Sequence, residues 1–172
     1  MSIYIESNKE TIASLANTRQ EENITFRSFL KKRDAASIDN LVFKINEIVE
    51  DKIDCTDCGA CCNGLMINVT ELESERVAEH LLMSKTDFKE KYIEESLGGQ
   101  LIINTIPCHF LNEKKCTIYE NRFKECREFP HLNRPHFTDR LFGTLIHYSI
   151  CPIIYNVVEQ LKIETNFIEN KK

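Results

Sequence analysis

The chain lacks the basic surplus, the long apolar runs and the phosphate-binding glycine loops that mark many common functional classes. Lysine and arginine total 22 against 27 aspartates and glutamates, a formal net charge of -5. That balance argues against a nucleic-acid module, which normally carries a basic excess. No run approaches the roughly 18 apolar residues of a membrane span. The opening MSIYIESNKE carries charges where a secretory leader has an apolar stretch, so no signal peptide is expected. The five glycines form neither G-x-G-x-x-G nor a phosphate loop, which removes support for nucleotide and Rossmann-type cofactor sites. H-E-x-x-H and G-x-S-x-G are absent too. So is C-x-x-x-C-x-x-C, the spacing expected of a radical enzyme that cleaves S-adenosylmethionine.

Cysteine is what the chain has in quantity. Four of its eight fall within CTDCGACC, as Cys55, Cys58, Cys61 and Cys62. Thiolates so crowded have few uses except to surround a metal, and the step of three places successive sulfurs on one small concave surface. Gly59 and Gly64 are expected to supply the left-handed turns that such wrapping needs. Cys108, Cys116, Cys126 and Cys151 follow downstream, each near proline, aromatic or turn-forming residues. With no leader, the chain is expected in a reducing cytoplasm, where this pattern reads as metal ligation or redox chemistry. Export by another route would make four disulfides the alternative.

With 172 residues, 42% of them hydrophobic, the chain can bury one sizeable core. The expected class is α+β: a mostly helical small domain with short strands, a hairpin and cysteine-rich loops. Residues 1–50 read as a helical N-terminal extension and 51–165 as a cysteine-cluster domain, forming one compact unit. Ile38, Leu41, Val42, Ile45, Ile48 and Val49 follow helical spacing behind Ser37 as N-cap. A weaker helical pattern covers Ile24 to Leu30. LMINV reads as a strand, and Thr70 with Glu73 matches a capping box opening a helix with Leu72, Val77 and Leu81. Another helix is expected from Thr86 through Leu97, stopped by Gly98-Gly99. QLIINTI reads as strand and CHFLNEKKCTIY as a hairpin turning at Asn112 to Lys115. Pro152 suits the first turn of a helix through Tyr155, Val158 and Leu161.

The triplet Cys55-x-x-Cys58-x-x-Cys61 has the spacing with which ferredoxin loops give three thiolates to one cubane cluster, the fourth coming from a distant cysteine. There the distant ligand often precedes proline, as Cys151-Pro152 does. Zinc sites more often use two C-x-x-C knuckles, or one plus histidines, and no second C-x-x-C is present. The spacing leans toward a [4Fe–4S] cluster with zinc kept open. Cys62 lies only about 3.8 Å from Cys61 between Cα atoms, so one of the pair is expected to serve a second site. Eight thiols could make two four-cysteine sites, or one cluster plus a site completed by His109, His131 or His136. The plainer reading of those histidines is a surface or hydrogen-bonded role. Likewise, the plainer reading of Cys108, Cys116, Cys126 and Cys151 is buried apolar packing. Arg122, Lys124 and Arg127 put positive charge beside Cys126, which would favour thiolates or hold an anion. Glu120, Glu125 and Glu128 lie near enough in sequence to pair with them.

CTDCGACC, then PCHFLNEKKCTIYENRFKECREFP, then Cys151-Pro152, resembles the YkgJ-like cysteine-cluster family, described as zinc- or iron-chelating and named for C-x-x-C-x-x-C-C. The similarity runs from Lys52 to Pro152 and includes Pro107-Cys108, Phe110-Leu111, Cys116, Ile118-Tyr119-Glu120, Arg122, Cys126-Arg127 and Phe129-Pro130. Phe123 departs from it, since the family usually has proline there. The resemblance implies a metal-bound cysteine domain without a settled general activity. A similar pattern appears in flagellin lysine methylases, where it looks like an iron-sulfur element of a larger enzyme. Three functions therefore stand side by side: a protein whose metal organises the fold, a metal-dependent protein-modifying enzyme or component, and an iron or zinc carrier. Neither nucleic acid nor membrane is an expected partner, and a protein partner stays open.

Overall fold

The computed structural model describes residues 4–168. Three helices come first: α1 (Lys9–Thr18), α2 (Gln20–Leu30) and α3 (Ala35–Glu50). Two short helical turns, α4 (Cys55–Cys58) and α5 (Ala60–Gly64), carry CTDCGACC. Then come β1 (Asn68–Val69), α6 (Glu71–His80), α7 (Lys85–Tyr92), β2 (Ile93–Glu95), β3 (Leu101–Ile103), β4 (Leu111–Asn112) and β5 (Lys115–Cys116). A 3-10 turn at Tyr119–Asn121 leads to α8 (Lys124–Glu128), α9 (Phe137–Ile146) and α10 (Pro152–Glu164). Helix makes up 57%, beside a few short antiparallel strands, so the chain is α+β as its pattern predicts. Among the described residues no helix is long and apolar enough to cross a membrane. Two units emerge: one joins the chain up to Asp54 with the chain from Pro130 onward, and the other is Cys55–Phe129.

The helical unit follows from apolar spacing and caps. On α3, Ile38, Val42, Ile45 and Val49 form one buried stripe. Its N-cap is Asp34, which accepts from the Ser37 backbone N–H at 2.8 Å, so the helix opens ahead of the expected Ser37 cap. Helix α10 begins at Pro152, whose fixed φ suits the first turn and whose missing N–H costs no helical bond. Every residue from Pro152 to Val158 is buried, and α10 packs along α3. Helix α9, which the sequence pattern does not announce, is capped from afar: Asp39 of α3 accepts from the backbone N–H of His136 (2.7 Å) and Phe137 (2.8 Å). At 5% exposure, Lys162 is bonded to Glu22 (3.0 Å) and Glu159 (2.7 Å), and Arg19 also pairs with Glu159.

The other unit is built from shorter pieces. The capping box forms as expected, with Thr70 accepting from Glu73 N–H and Glu73 reaching back to Thr70 N–H. Helix α7 does not run to Leu97. It ends at Tyr92, and Ile93 turns into β2 opposite Ile103, while Glu95 lies opposite Leu101. Pairing with β3 outweighs helical spacing here. Leu97 is fully exposed, and Gly98-Gly99 shape the β2–β3 turn, with Gly99 at φ 76°. Antiparallel order is β1-β3-β2. The expected hairpin is present, pairing Leu111 with Cys116 and Asn112 with Lys115. Val69, Val77, Ala78, Phe88, Ile103, Phe110, Ile118 and Phe123 form the core beneath it.

Candidate metal centre

Short elements of the Cys55–Phe129 unit carry six of its seven cysteines to one cavity. Between α4 and α5, Gly59 takes a left-handed φ of 59°. A Cβ there would stand 2.9 Å from the Lys114 carbonyl oxygen and 3.2 Å from Lys114 Cα. The loop backbone therefore lies against the β4–β5 turn, an approach open only to glycine. Gly64, expected to provide a second left-handed turn, instead closes α5. Asn63 donates from Nδ2 to the Gly59 carbonyl at 2.8 Å and tightens the loop. The backbone N–H of Cys108 donates to the Cys62 carbonyl at 2.9 Å, joining residues 46 apart in sequence. Cys116 sits on β5 and Cys126 on α8. Helix α8 is held by Glu73, which accepts from Lys124 N–H at 2.5 Å, and by Glu125, which accepts from Asn68 N–H and Nδ2 at 2.8 and 2.9 Å.

The cavity measures about 90 Å³ and is lined by Cys55, Cys61, Cys62, Cys108, Cys116 and Cys126. Leu65, Ile67, Phe110, Ile118 and Phe123 make its apolar wall, with Lys114 and Arg122 as the cations. Cys58 is half-buried in α4 and does not line it. Cys151 is buried at the start of α10, in the helical unit. No disulfide joins cysteines among the described residues. Cys108, Cys116 and Cys126 also pack against the core, so the apolar-packing reading and the site reading describe the same side chains.

The thiols feel one another. Sγ of Cys61 and Sγ of Cys62 lie 4.0 Å apart. A hydrogen bond from Cys62 brings the Cys61 thiol down to about 7, with Arg122 helping, while the shared proton pushes Cys62 up. Burial pushes Cys126 up to about 12, and the charges of Cys108, Cys61 and Cys116 add to it. Cys108 and Cys116 are raised first by burial as well. Mutual influence among Cys61, Cys108, Cys116 and Cys126 puts them in one electrostatic neighbourhood. Among the described residues, no three Cys, His, Asp or Glu side chains close on a point as a formed ion site would. The donors nonetheless fit such a group: several soft ligands face one small apolar cavity, and a bound cation would take the place of their protons.

Arg122 was expected to pair with nearby glutamates. Instead, its guanidinium lies 3.8 Å from the centre of the Tyr119 ring, in the cavity wall, where its charge helps to lower the Cys61 thiol and offsets part of the rise that burial imposes on Cys116 and Cys126. Lys124 is the residue that meets Glu128, at 3.7 Å. The Tyr-x-x-Arg spacing on the 3-10 turn is the signal that could have foretold this stack. Phe123 is buried with its ring 6.1 Å from that of Phe110, so its side chain fills the core. His109 is exposed and bonds to Asn104 Oδ1 at 2.7 Å. His131 and His136 belong to the helical unit, each at φ 60°.

Residues 54–148, more than half of the chain, match the model of the family CxxCxxCC, "Putative zinc- or iron-chelating domain". No curated protein and no solved structure matches the chain significantly.

Proposed function

Because the chain belongs to the CxxCxxCC family, we propose that the Cys55–Phe129 unit binds zinc or an iron-sulfur cluster through its cysteine thiolates, and that the metal organises this unit. The observation that carries the reading is the cavity onto which six cysteines from five separate segments open. Cys55, Cys58 and Cys61 share one site in this reading, and their spacing favours a [4Fe–4S] cluster. Cys62, Cys108, Cys116 and Cys126 complete it or form a second site. Zinc would draw four of these thiolates into a closed tetrahedron. Once bound, either group cross-links segments far apart in sequence. Arg122 offsets the negative charge of the thiolates, and the apolar wall keeps water away from them. Thiols kept reduced for this purpose suit a cytoplasmic setting.

Anaerobic purification followed by metal and acid-labile sulfide analysis tests the reading. A brown protein with iron and sulfide supports the cluster, and a colourless one with zinc supports the tetrahedral site. Cooperative folding of Cys55–Phe129 with neither would overturn the proposal. Cys151-Pro152 keeps the remote Cys-Pro pairing of cubane loops, and Cys151→Ser reads its part: a loss of bound metal makes Cys151 a ligand, whereas full retention confines it to packing in the helical unit.

A carrier reading is favoured by two further observations: the thiols outnumber what a single site needs, and Cys55 is exposed. Ligand exchange through an outer thiol would let metal leave without unfolding. Reversible, chelator-driven loss at constant secondary structure distinguishes carrier from structural site.

A further inference from the structure

Three arginines of the Cys55–Phe129 unit meet at one backbone atom beside the cysteine cavity. Arg76 on α6 donates from Nη2 to the Arg122 carbonyl oxygen at 3.1 Å, and Arg127 on α8 donates to the same oxygen from Nη1. Arg122 and Tyr119, whose ring carries the Arg122 guanidinium, line the cavity together with the six cysteines. Neither Arg76 nor Arg127 lines it. Cations gathered so closely repel one another unless negative charge stands near. Among the described residues no carboxylate forms an ion pair with any of the three, beyond the longer-range attraction between Glu73 and Arg127.

The missing counter-charge is what a loaded thiolate centre supplies. Four thiolates around one zinc ion leave an excess of about two negative charges, and a cubane held by four thiolates is anionic too. Arg122 is the half-buried cation of the cavity wall, whereas Lys114 is exposed. Its charge already acts on Cys61, Cys116 and Cys126. That charge serves the thiolates only while the long side chain stays beside them. The Tyr119 ring holds its tip, and the shared carbonyl holds its base. Arg127 reaches the carbonyl from five residues along the same stretch of chain. Arg76 reaches it from 46 residues away, and so ties the 3-10 turn to a separate helix. We propose that Arg76, outside the cavity, is a positioning residue of the metal centre: by pinning the Arg122 backbone it keeps the Arg122 charge at the thiolates, and so sets how firmly metal is held. This inference rests on the metal reading above.

The test takes the full chain, purified anaerobically with the metal it holds, beside Arg76→Gln, Arg122→Gln, Arg122→Lys and the Arg76→Gln/Arg122→Gln double variant. The readout is the EDTA concentration that removes half of the bound zinc or iron, by elemental analysis. Arg122→Gln should lower it at least about tenfold. Arg122→Lys keeps the charge and should recover most of that loss. Arg76→Gln should lower it about threefold or more in the parent chain. In the Arg122→Gln background it should change nothing further, because no charge is left for Arg76 to place. Parental resistance in Arg76→Gln, losses that add in the double variant, or a lysine variant as weak as the glutamine one would overturn the proposal. So would lost helix in metal-loaded Arg76→Gln by circular dichroism, which would make Arg76 a residue of the fold alone. A parent chain that holds no metal fails the metal reading itself and the proposal with it, so the parent's metal content tells the two failures apart.

Discussion

The two units of this chain solve the same problem, holding a backbone in place, with different materials. The helical unit does it with burial. Phe26, Leu30, Val42, Ile45, Val49, Phe137, Leu141, Ile154, Val158 and Leu161 are all fully shielded from water on helices of ten residues or more. The Cys55–Phe129 unit has strands of two or three residues, helices of four to ten, and a core cluster of eight buried side chains. Against that cluster pack Ile67, Leu81, Met83, Tyr92, Ile93 and Leu101 together with the thiols of Cys108, Cys116 and Cys126, which also line a cavity. Small units with thin cores are usually reinforced by a disulfide or a metal. Cysteine thus supplements in one unit an apolar core that the other builds mainly from leucine, isoleucine, valine and phenylalanine.

Removing the metal should break this contrast most visibly. Chelation of anaerobically purified protein is expected to unfold Cys55–Phe129 and leave α3 and α10 protected from amide exchange, since structural zinc contributes on the order of 10 kcal/mol in small domains. Equal loss of protection in both units would refute the division. A mirror-image experiment alters the helical core. Phe26→Ala or Leu161→Ala should destabilise that unit by about 3 to 5 kcal/mol while bound metal, measured by elemental analysis, stays constant.

Gly59→Ala should have a smaller effect, on the cysteine unit alone. The left-handed backbone costs an alanine about 1 to 2 kcal/mol, and the Lys114 backbone 2.9 Å from the new Cβ adds strain. Reduced metal content with unchanged exchange in α3 and α10 is the expected outcome. Smallest is Glu73→Gln in the capping box, at no more than about 1 kcal/mol for so exposed a group. Burial pushes the Glu73 carboxyl up, but hydrogen bonds from Lys124 N–H and from Thr70 hold it net below its ordinary 4.5. Its contribution is therefore present above that value and fades as pH falls through the lower folded value. Acid unfolding followed by circular dichroism should separate parent and variant near neutrality and merge them in strong acid.

Local chemistry was readable in the sequence wherever it acts within a few residues. The Thr70–Glu73 box, the turn between Asn112 and Lys115, and Pro152 at the head of α10 all form as their side chains dictate. Features set by distant partners were not readable. Tyr92 ends α7 because Ile93 finds Ile103, and α9 begins at Phe137 because Asp39, 98 residues earlier, caps it. For the cavity the same division holds. The spacing of CTDCGACC marks the loop, but that Cys108 is tied to Cys62 through the backbone, or that Arg122 lies on Tyr119, depends on how far-apart segments meet.

The helical unit is discontinuous: α1–α3 precede the cysteine unit and α9–α10 follow it. A ribosome adding about 5 to 20 residues per second needs roughly 4 to 15 seconds to pass from Asp54 to Pro130. Throughout that interval the apolar stripe of α3 is without α10, the helix it packs along. The cysteine segment, by contrast, is synthesised whole before any of α9 and α10. Order of synthesis therefore gives the thiols the first opportunity to fold, and leaves the nascent N-terminal helices as the stretch most in need of shielding by a chaperone.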